Sequence, residues 1–304
     1  MDKFKLQLIE KLKNKGLSES SIKLYIRNIE KLNDDKPLKN LSFLKNKENI
    51  LSKLENYSEN TKRNYLISIS SILESTGKNK KLQEEYYNLV KKKNQELSPK
   101  TPIAVKSEKQ KENWLTQKEV LDIRDKLKEK VNSFIKNDSL NEEQYETLLQ
   151  YLVLSIFTLI PPRRNKDYQM MVIEKDWGED LTKNLNYLDL KNKRFIYNNY
   201  KTKKNYGSIF QNIPKELEEI IKIYLKFAKV SNEFLVDYKG NALVKPMDLI
   251  KVFYKLFYPK KISSSLLRHI YLTSKYKDIL KEMKEDSKAM SHSLNVAHNT
   301  YIVD

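Results

Sequence analysis

Cysteine is absent from this chain of 304 residues, which excludes disulfides, thiolate metal sites and a cysteine nucleophile together. No apolar run approaches the roughly 18 residues that span a bilayer. Met1-Asp2-Lys3-Phe4 lacks the basic and then apolar order of a signal peptide. A reducing compartment, cytoplasm or nucleus, is the expected location, with no membrane partner. Internal repeats are missing too, apart from two similar Ser-led helical segments near the N-terminus. The three histidines, His269, His292 and His298, share no ligand-like spacing with acids, so neither a metal nor another cofactor is expected.

What the chain has in excess is positive charge. Lys and Arg number 58 against 40 Asp and Glu, a net +18 with a pI near 9.5. A field of that size attracts a polyanion, mainly by releasing counterions from phosphates. A Lys- and Asn-rich composition from an AT-rich genome gives the same excess, so charge indicates a polyanion without specifying which. The excess is denser in residues 1–112 than in the remainder. With 39% hydrophobic and 32% charged residues, the composition is that of a folded protein, and the length suits two domains.

The apolar spacing predicts helices first. Ser18 is a plausible N-cap before Ile22, Tyr25, Ile26, Ile29 and Leu32, and Pro37 stops the pattern. Ser58 repeats the device before Tyr65, Ile69, Ile72 and Leu73, which end before Gly77. With short helices in 43–54 and 80–93, a basic four-helix domain is expected over residues 1–97. Ser98-Pro99-Lys100-Thr101-Pro102 breaks helix twice, and 106–112 is charged without periodicity, so 98–112 reads as a linker. A second domain, 113–304, is expected to be mainly helical. It carries one β insertion, since Tyr187–Leu190, Arg194–Tyr197 and Ile209–Ile213 are strand-like runs separated by turn residues. Helical spacing resumes over 214–229, 247–258 and 263–276, and from 279 to the end. The expected fold class is mainly α with a small β-sheet, an N-terminal helical domain followed by an α+β domain.

Four segments of the second domain carry chemistry-bearing residues. Arg163 and Arg164 follow a buried helix after Pro161-Pro162, with Asp167 close behind. Lys201, Lys203 and Lys204 occupy a turn between predicted strands. Ser265-Leu266-Leu267-Arg268-His269 lies near a helix start. His292 precedes Tyr301 by nine residues. In order and separation these segments resemble the tyrosine recombinase (phage integrase) family. Its catalytic domain has an arginine after a buried helix, a hairpin lysine, a His-x-Leu-Arg-His-type motif, and a Gly-His motif nine residues before a tyrosine nucleophile. Arg164 matches the first arginine, with Arg163 as alternative. Lys201 matches the lysine, with Lys203 as competitor, and Arg268, His269, His292 and Tyr301 match the rest. The first helices, including Ser58-Glu59-Asn60-Thr61 and Tyr65, are similar to the family's core-binding domain. The Pro-Pro-Arg-Arg form looks closer to elements of eukaryotes and their large DNA viruses than to bacterial members. Two positions depart from the pattern: Ser265 stands where the family has histidine, and Ser291 where it has glycine.

The resemblance implies a site-specific recombinase or integrase acting on double-stranded DNA as a homo-tetramer, its two domains closing around the duplex. Arg164 and Arg268 would clamp the non-bridging phosphate oxygens, with His292 as a further donor. Lys201 would protonate the leaving oxygen, and Tyr301 would form a 3′-phosphotyrosine. Ser265, His269 and Asp167 would support the site, and Ser265 offers no imidazole for proton transfer. Each residue also has a plain structural reading. Tyr301 is one of 19 tyrosines, Ser265 serves equally as a helix cap, and His298 reads as structural. A type IB topoisomerase shares most of the site, and a DNA-binding protein with a decayed site shares the charge. The family often extends a segment beyond the nucleophile that docks on a neighbouring protomer. Three residues follow Tyr301 here, so either a truncated chain or another assembly contact is expected.

Overall fold

The structure is a computed structural model that describes residues 3–98, 105–174, 184–230 and 232–301, without the side chains of Asn295, His298 and Asn299. The reading of His298 as structural therefore falls outside the described residues. The chain divides into two compact units, residues 1–104 and 105–304.

The first unit is all helix: α1 (Lys3–Asn14), α2 (Glu19–Leu32), α3 (Lys47–Leu54), α4 (Glu59–Thr76) and α5 (Lys80–Leu97). Ser18 and Ser58 cap α2 and α4, their hydroxyls accepting from the N–H groups of Ser21 and Thr61. Gly77, at a φ of +64°, closes α4 in the left-handed conformation that favours glycine. Among the described residues the unit has five α-helices rather than the expected four. Helix α1 was not anticipated because only Leu8 and Leu12 are buried along it, too short a stripe to signal a helix by itself. They join Ile26, Ile29, Ile69, Ile72 and Tyr86 in one core.

The second unit opens with α6 (Glu108–Asn113), where a charged linker was expected. Ser107 and Gln110 cap it reciprocally, and Asn113 is buried, so local capping forms a helix where apolar spacing gives no sign of one. Helix α7 (Gln117–Phe134) packs on α8 (Glu142–Leu159), whose Leu148, Leu152, Val153, Leu154 and Ile156 are buried on nearly every face. After α9 (Asn165–Gln169) the chain enters a sheet ordered β1 (Met171–Glu174), β2 (Asn186–Asp189), β3 (Arg194–Tyr197) and β4 (Ile209–Asn212). Strand β1 pairs parallel to β2, and the other pairs are antiparallel, with Tyr187 opposite Ile196 and Ile196 opposite Phe210. The short helix α10 (Lys203–Tyr206) lies in the β3–β4 connection, and α11 (Lys215–Phe227) and α12 (Pro246–Phe257) follow. The fold is thus mainly α with a small four-stranded sheet, all-α in the first unit and α+β in the second.

The last long element corrects the sequence expectation most. Two helices, broken near 276–279, were expected. The chain instead forms one helix, α13, from Ser264 to Ala289. Neither Gly nor Pro occurs from Ser263 to Ala289, so nothing interrupts the hydrogen-bond ladder when the apolar pattern weakens. Its first turns are anchored by buried Leu266, Leu267 and Ile270. Residues 274–282 are exposed on every face, so this part of α13 is an arm that buries no side chain. A single turn (Leu294–Val296) and a π-helical turn (Ala297–Tyr301) complete the described chain.

Candidate active site

The turn after α8 holds two arginines in different circumstances. Arg163 is tied down: its Nε donates to Asp167 Oδ2 at 2.9 Å. Its guanidinium carbon lies 3.9 Å from the Tyr197 ring centroid and 4.9 Å from that of Tyr200. Arg164 is half-buried and makes no side-chain hydrogen bond or ion pair among the described residues. Asp167, buried beneath both, also accepts from the Arg164 backbone. Burial pushes its carboxyl up from the ordinary value, against the pull of the two guanidiniums.

Arg268, half-buried on the second turn of α13, comes to the same place from the far side of the sequence. Burial, and next the charge of Arg164, hold its guanidinium below the ordinary value, with Asp167 acting in the opposite direction and Arg163 adding to the depression. An arginine so shifted is still cationic at any physiological pH. Arg163 engages the one carboxylate here, and Arg164 and Arg268, each within electrostatic reach of it and of the other, gain most when an anion arrives.

Asn186 fastens this turn to the β3–β4 connection. Its Nδ2 donates to the carbonyls of Asp167 and Asn199 at 2.9 and 3.0 Å, and its Oδ1 accepts from the N–H groups of Asn198 and Asn199 at 2.9 and 2.7 Å. Tyr200, packed on Arg163, donates its hydroxyl to the Gly207 carbonyl at 2.7 Å and closes the same connection. Lys201 follows Tyr200 directly and is exposed, while Lys203 starts α10. Sequence reasoning missed Asn186, Tyr197 and Tyr200. Strand-like spacing marked Tyr197 only as a sheet residue, Tyr200 stood in the turn with Lys201, and Asn186 lay just outside a strand-like run; no local signal tells an aromatic that holds an arginine from one that fills a core.

Ser265 and His269 lie exposed on the first turns of α13. Ser265 is not its cap: the cap is Ser263, whose hydroxyl accepts from the Leu266 N–H at 3.3 Å. His269 neighbours Arg268 and makes no side-chain hydrogen bond among the described residues.

His292 and Tyr301 are together, but elsewhere. Their rings stack, with centroids 4.9 Å apart and planes at 20°. His292 Nδ1 lies 3.3 Å from the Ser293 carbonyl oxygen, and its buried Nε2 has no partner among the described residues. Tyr301 is 65% exposed. Ser291 has a φ of +60° and ends α13, with the His292 N–H reaching back to the Ser287 carbonyl at 3.0 Å. That left-handed position is where glycine is favoured. The residues from Arg268 to Ala289 form unbroken helix, and at 1.5 Å per residue they set Tyr301's end of α13 about 32 Å along the axis from Arg268. The candidate residues thus fall into two groups, Arg164, Arg268, Asp167 and the neighbouring Lys201 in one, His292 and Tyr301 in the other.

No family model matches the chain, and no curated protein matches it. Among solved structures it is similar to a crystal structure of XerA recombinase, with a TM-score of 0.31 and 13% identity over 91% of this chain and 85% of that one. Likeness at that level carries no weight for function, which rests on the side chains.

Proposed function

We propose that the chain is a DNA strand-transfer enzyme of the tyrosine recombinase type, cleaving and rejoining double-stranded DNA through a 3′-phosphotyrosine. The observation that carries this reading is that Arg268 lies within electrostatic reach of Arg164 and Asp167, groups from a distant part of the sequence, while Asp167 is already engaged by Arg163. Attack on a phosphodiester gathers negative charge on the non-bridging oxygens, and paired guanidiniums bind those oxygens bidentately. The Tyr301 hydroxyl oxygen attacks phosphorus and gives its proton to water, the bond from phosphorus to the 5′ oxygen breaks, and Lys201 gives that oxygen a proton and regains one from solvent. His292, stacked on Tyr301, supplies a donor to the phosphate. Ser265 has no imidazole, so it serves as a hydroxyl donor only. Rejoining reverses the step: a 5′ hydroxyl attacks the phosphotyrosine and Tyr301 leaves, so no nucleotide is consumed. The net charge of +18 suits a duplex partner, and two strand exchanges in concert call for a homo-tetramer on two DNA sites.

The test is incubation with nicked duplexes that strand the reaction after cleavage, made from the sequences flanking the protein's own reading frame and from a randomised pool. A denaturation-resistant protein–DNA adduct is expected from the native chain and none from Tyr301→Phe. No adduct on any duplex, or an undiminished one from Tyr301→Phe, overturns the reading.

A further inference from the structure

The sheet stops pairing just before the chain reaches Lys201. The β2–β3 ladder ends at Tyr187 and Ile196, and the β3–β4 ladder at Tyr197 and Ile209. Beyond it the chain runs through Asn198, Asn199 and Tyr200, whose backbone groups need partners of another kind. One side chain supplies most of them. The Asn186 amide, buried at the start of β2, accepts from the N–H groups of Asn198 and Asn199 and donates to the Asn199 carbonyl. Its other hydrogen goes to the carbonyl of Asp167. A carboxamide has two donor hydrogens and two lone pairs, and all four are used here. It stands in for a strand neighbour on one side and grips the arginine turn on the other.

A second tie lies one residue further on. The Tyr200 hydroxyl donates to the Gly207 carbonyl across the connection, while its ring packs on the Arg163 guanidinium. Lys201 comes next, exposed and with no side-chain hydrogen bond or ion pair among the described residues. No contact of its own side chain fixes its place, so its backbone does, and Asn186 and Tyr200 hold that backbone.

Resting on the strand-transfer reading above, we propose that Asn186 and Tyr200 are positioning residues for Lys201. They keep its backbone in register with the arginine turn, so that its ammonium meets the leaving 5′ oxygen of a phosphate held by Arg164 and Arg268. They act through Lys201 and not on the DNA. Proton transfer needs hydrogen-bond reach, and a misplacement of about 1 Å costs on the order of 10² in rate.

The test separates proton donation from the rest of the reaction. Nicked duplexes carry sulfur in place of the bridging 5′ oxygen at the cleavage position mapped with the native chain. The Tyr301 oxygen attacks phosphorus and gives its proton to water, the phosphorus–sulfur bond breaks, and the sulfur leaves as a thiolate. A thiol of pKa about 8.5 leaves without a proton from Lys201. Adduct formation is timed on oxygen and sulfur duplexes with one preparation of each protein, and the ratio of the two rates cancels any loss of folded protein. Lys201→Ala is expected to lower the oxygen-to-sulfur ratio by about 10²–10⁴. Asn186→Asp, which keeps the shape but loses both donor hydrogens, is expected to lower it by at least about ten-fold, and Asn186→Ser likewise. Tyr200→Phe, which removes only the hydroxyl, is expected to lower it by about three-fold or more. Native ratios in the Asn186 variants, however slow both reactions, overturn its positioning role, and a native ratio in Tyr200→Phe overturns that of Tyr200. A native ratio in Lys201→Ala removes Lys201 as the proton donor and the proposal with it. No adduct from the native chain on either duplex removes the strand-transfer reading itself.

Discussion

Arg163 and Arg164 are neighbours of one type with opposite circumstances, and the difference comes from what surrounds them. Arg163 is consumed by Asp167, Tyr197 and Tyr200, whereas Arg164 makes no side-chain hydrogen bond or ion pair among the described residues. The sequence shows two adjacent arginines with Asp167 three and four residues on. Which arginine takes the acid depends on aromatic rings from β3 and the connection after it, and these are distant in sequence. Asp167→Ala leaves Arg163 as an uncompensated cation in a largely buried place, and a loss of about 3–5 kcal/mol is expected, measurable by urea unfolding. Arg268→Ala is expected to keep the fold and lower the rate of adduct formation by about 10²–10³, the effect of removing one charge-stabilising donor. Arg268→Lys should restore little of it, because an ammonium cannot bind two oxygens in a plane. Rapid-quench measurement of adduct formation checks both.

Helices were the legible elements. Ser18 and Ser58 announce α2 and α4 through capping chemistry contained within four residues, and the apolar run of α8 announces a buried helix. Strand β1 was not legible: four residues pair in parallel with a strand that begins at Asn186, a non-local choice with no local signature. The continuity of α13 was missed because residues 274–282 are all exposed, so no core-facing stripe joins the two halves of the helix. The Ser291 turn at its end gives a direct test. Relieving a side chain in the left-handed conformation with Ser291→Gly is expected to stabilise the turn by about 1 kcal/mol, seen as an approximately five-fold slower hydrogen exchange at the His292 amide. In the first unit, hydrogen bonds from Lys62 and then Lys93 hold Glu59 down to about 2. A carboxyl depressed in the folded state stabilises above its unfolded value of 4.5, and that contribution is lost as pH falls from 4.5 through about 2. Glu59→Gln should therefore flatten the acid side of the stability profile over that window, read from unfolding midpoints at successive pH values.

On the scale of the whole molecule, composition carried more than pattern. The net +18 points to a polyanion. Duplex affinity is expected to fall by about 10³ between 50 and 200 mM salt, linearly on logarithmic axes, as for a protein covering six or more phosphates. Fluorescence anisotropy with labelled duplex measures it, and a flat salt response would remove DNA as the partner. The order of the motifs in the sequence was legible as well, but their arrangement was not. Nine residues between His292 and Tyr301 are close enough to predict that the two meet. The span from Arg268 to His292 says nothing about whether they do, because an unbroken helix and a folded-back chain have the same spacing. The most direct test of Tyr301 as nucleophile is mass spectrometry of the trapped protein–DNA adduct after digestion with trypsin and nuclease. The tryptic peptide that starts at Ala289 has Tyr301 as its one tyrosine. The residual nucleotide is predicted on that peptide, attached through the Tyr301 oxygen. A nucleotide on any other peptide, or an unmodified Ala289 peptide from a purified adduct, contradicts it.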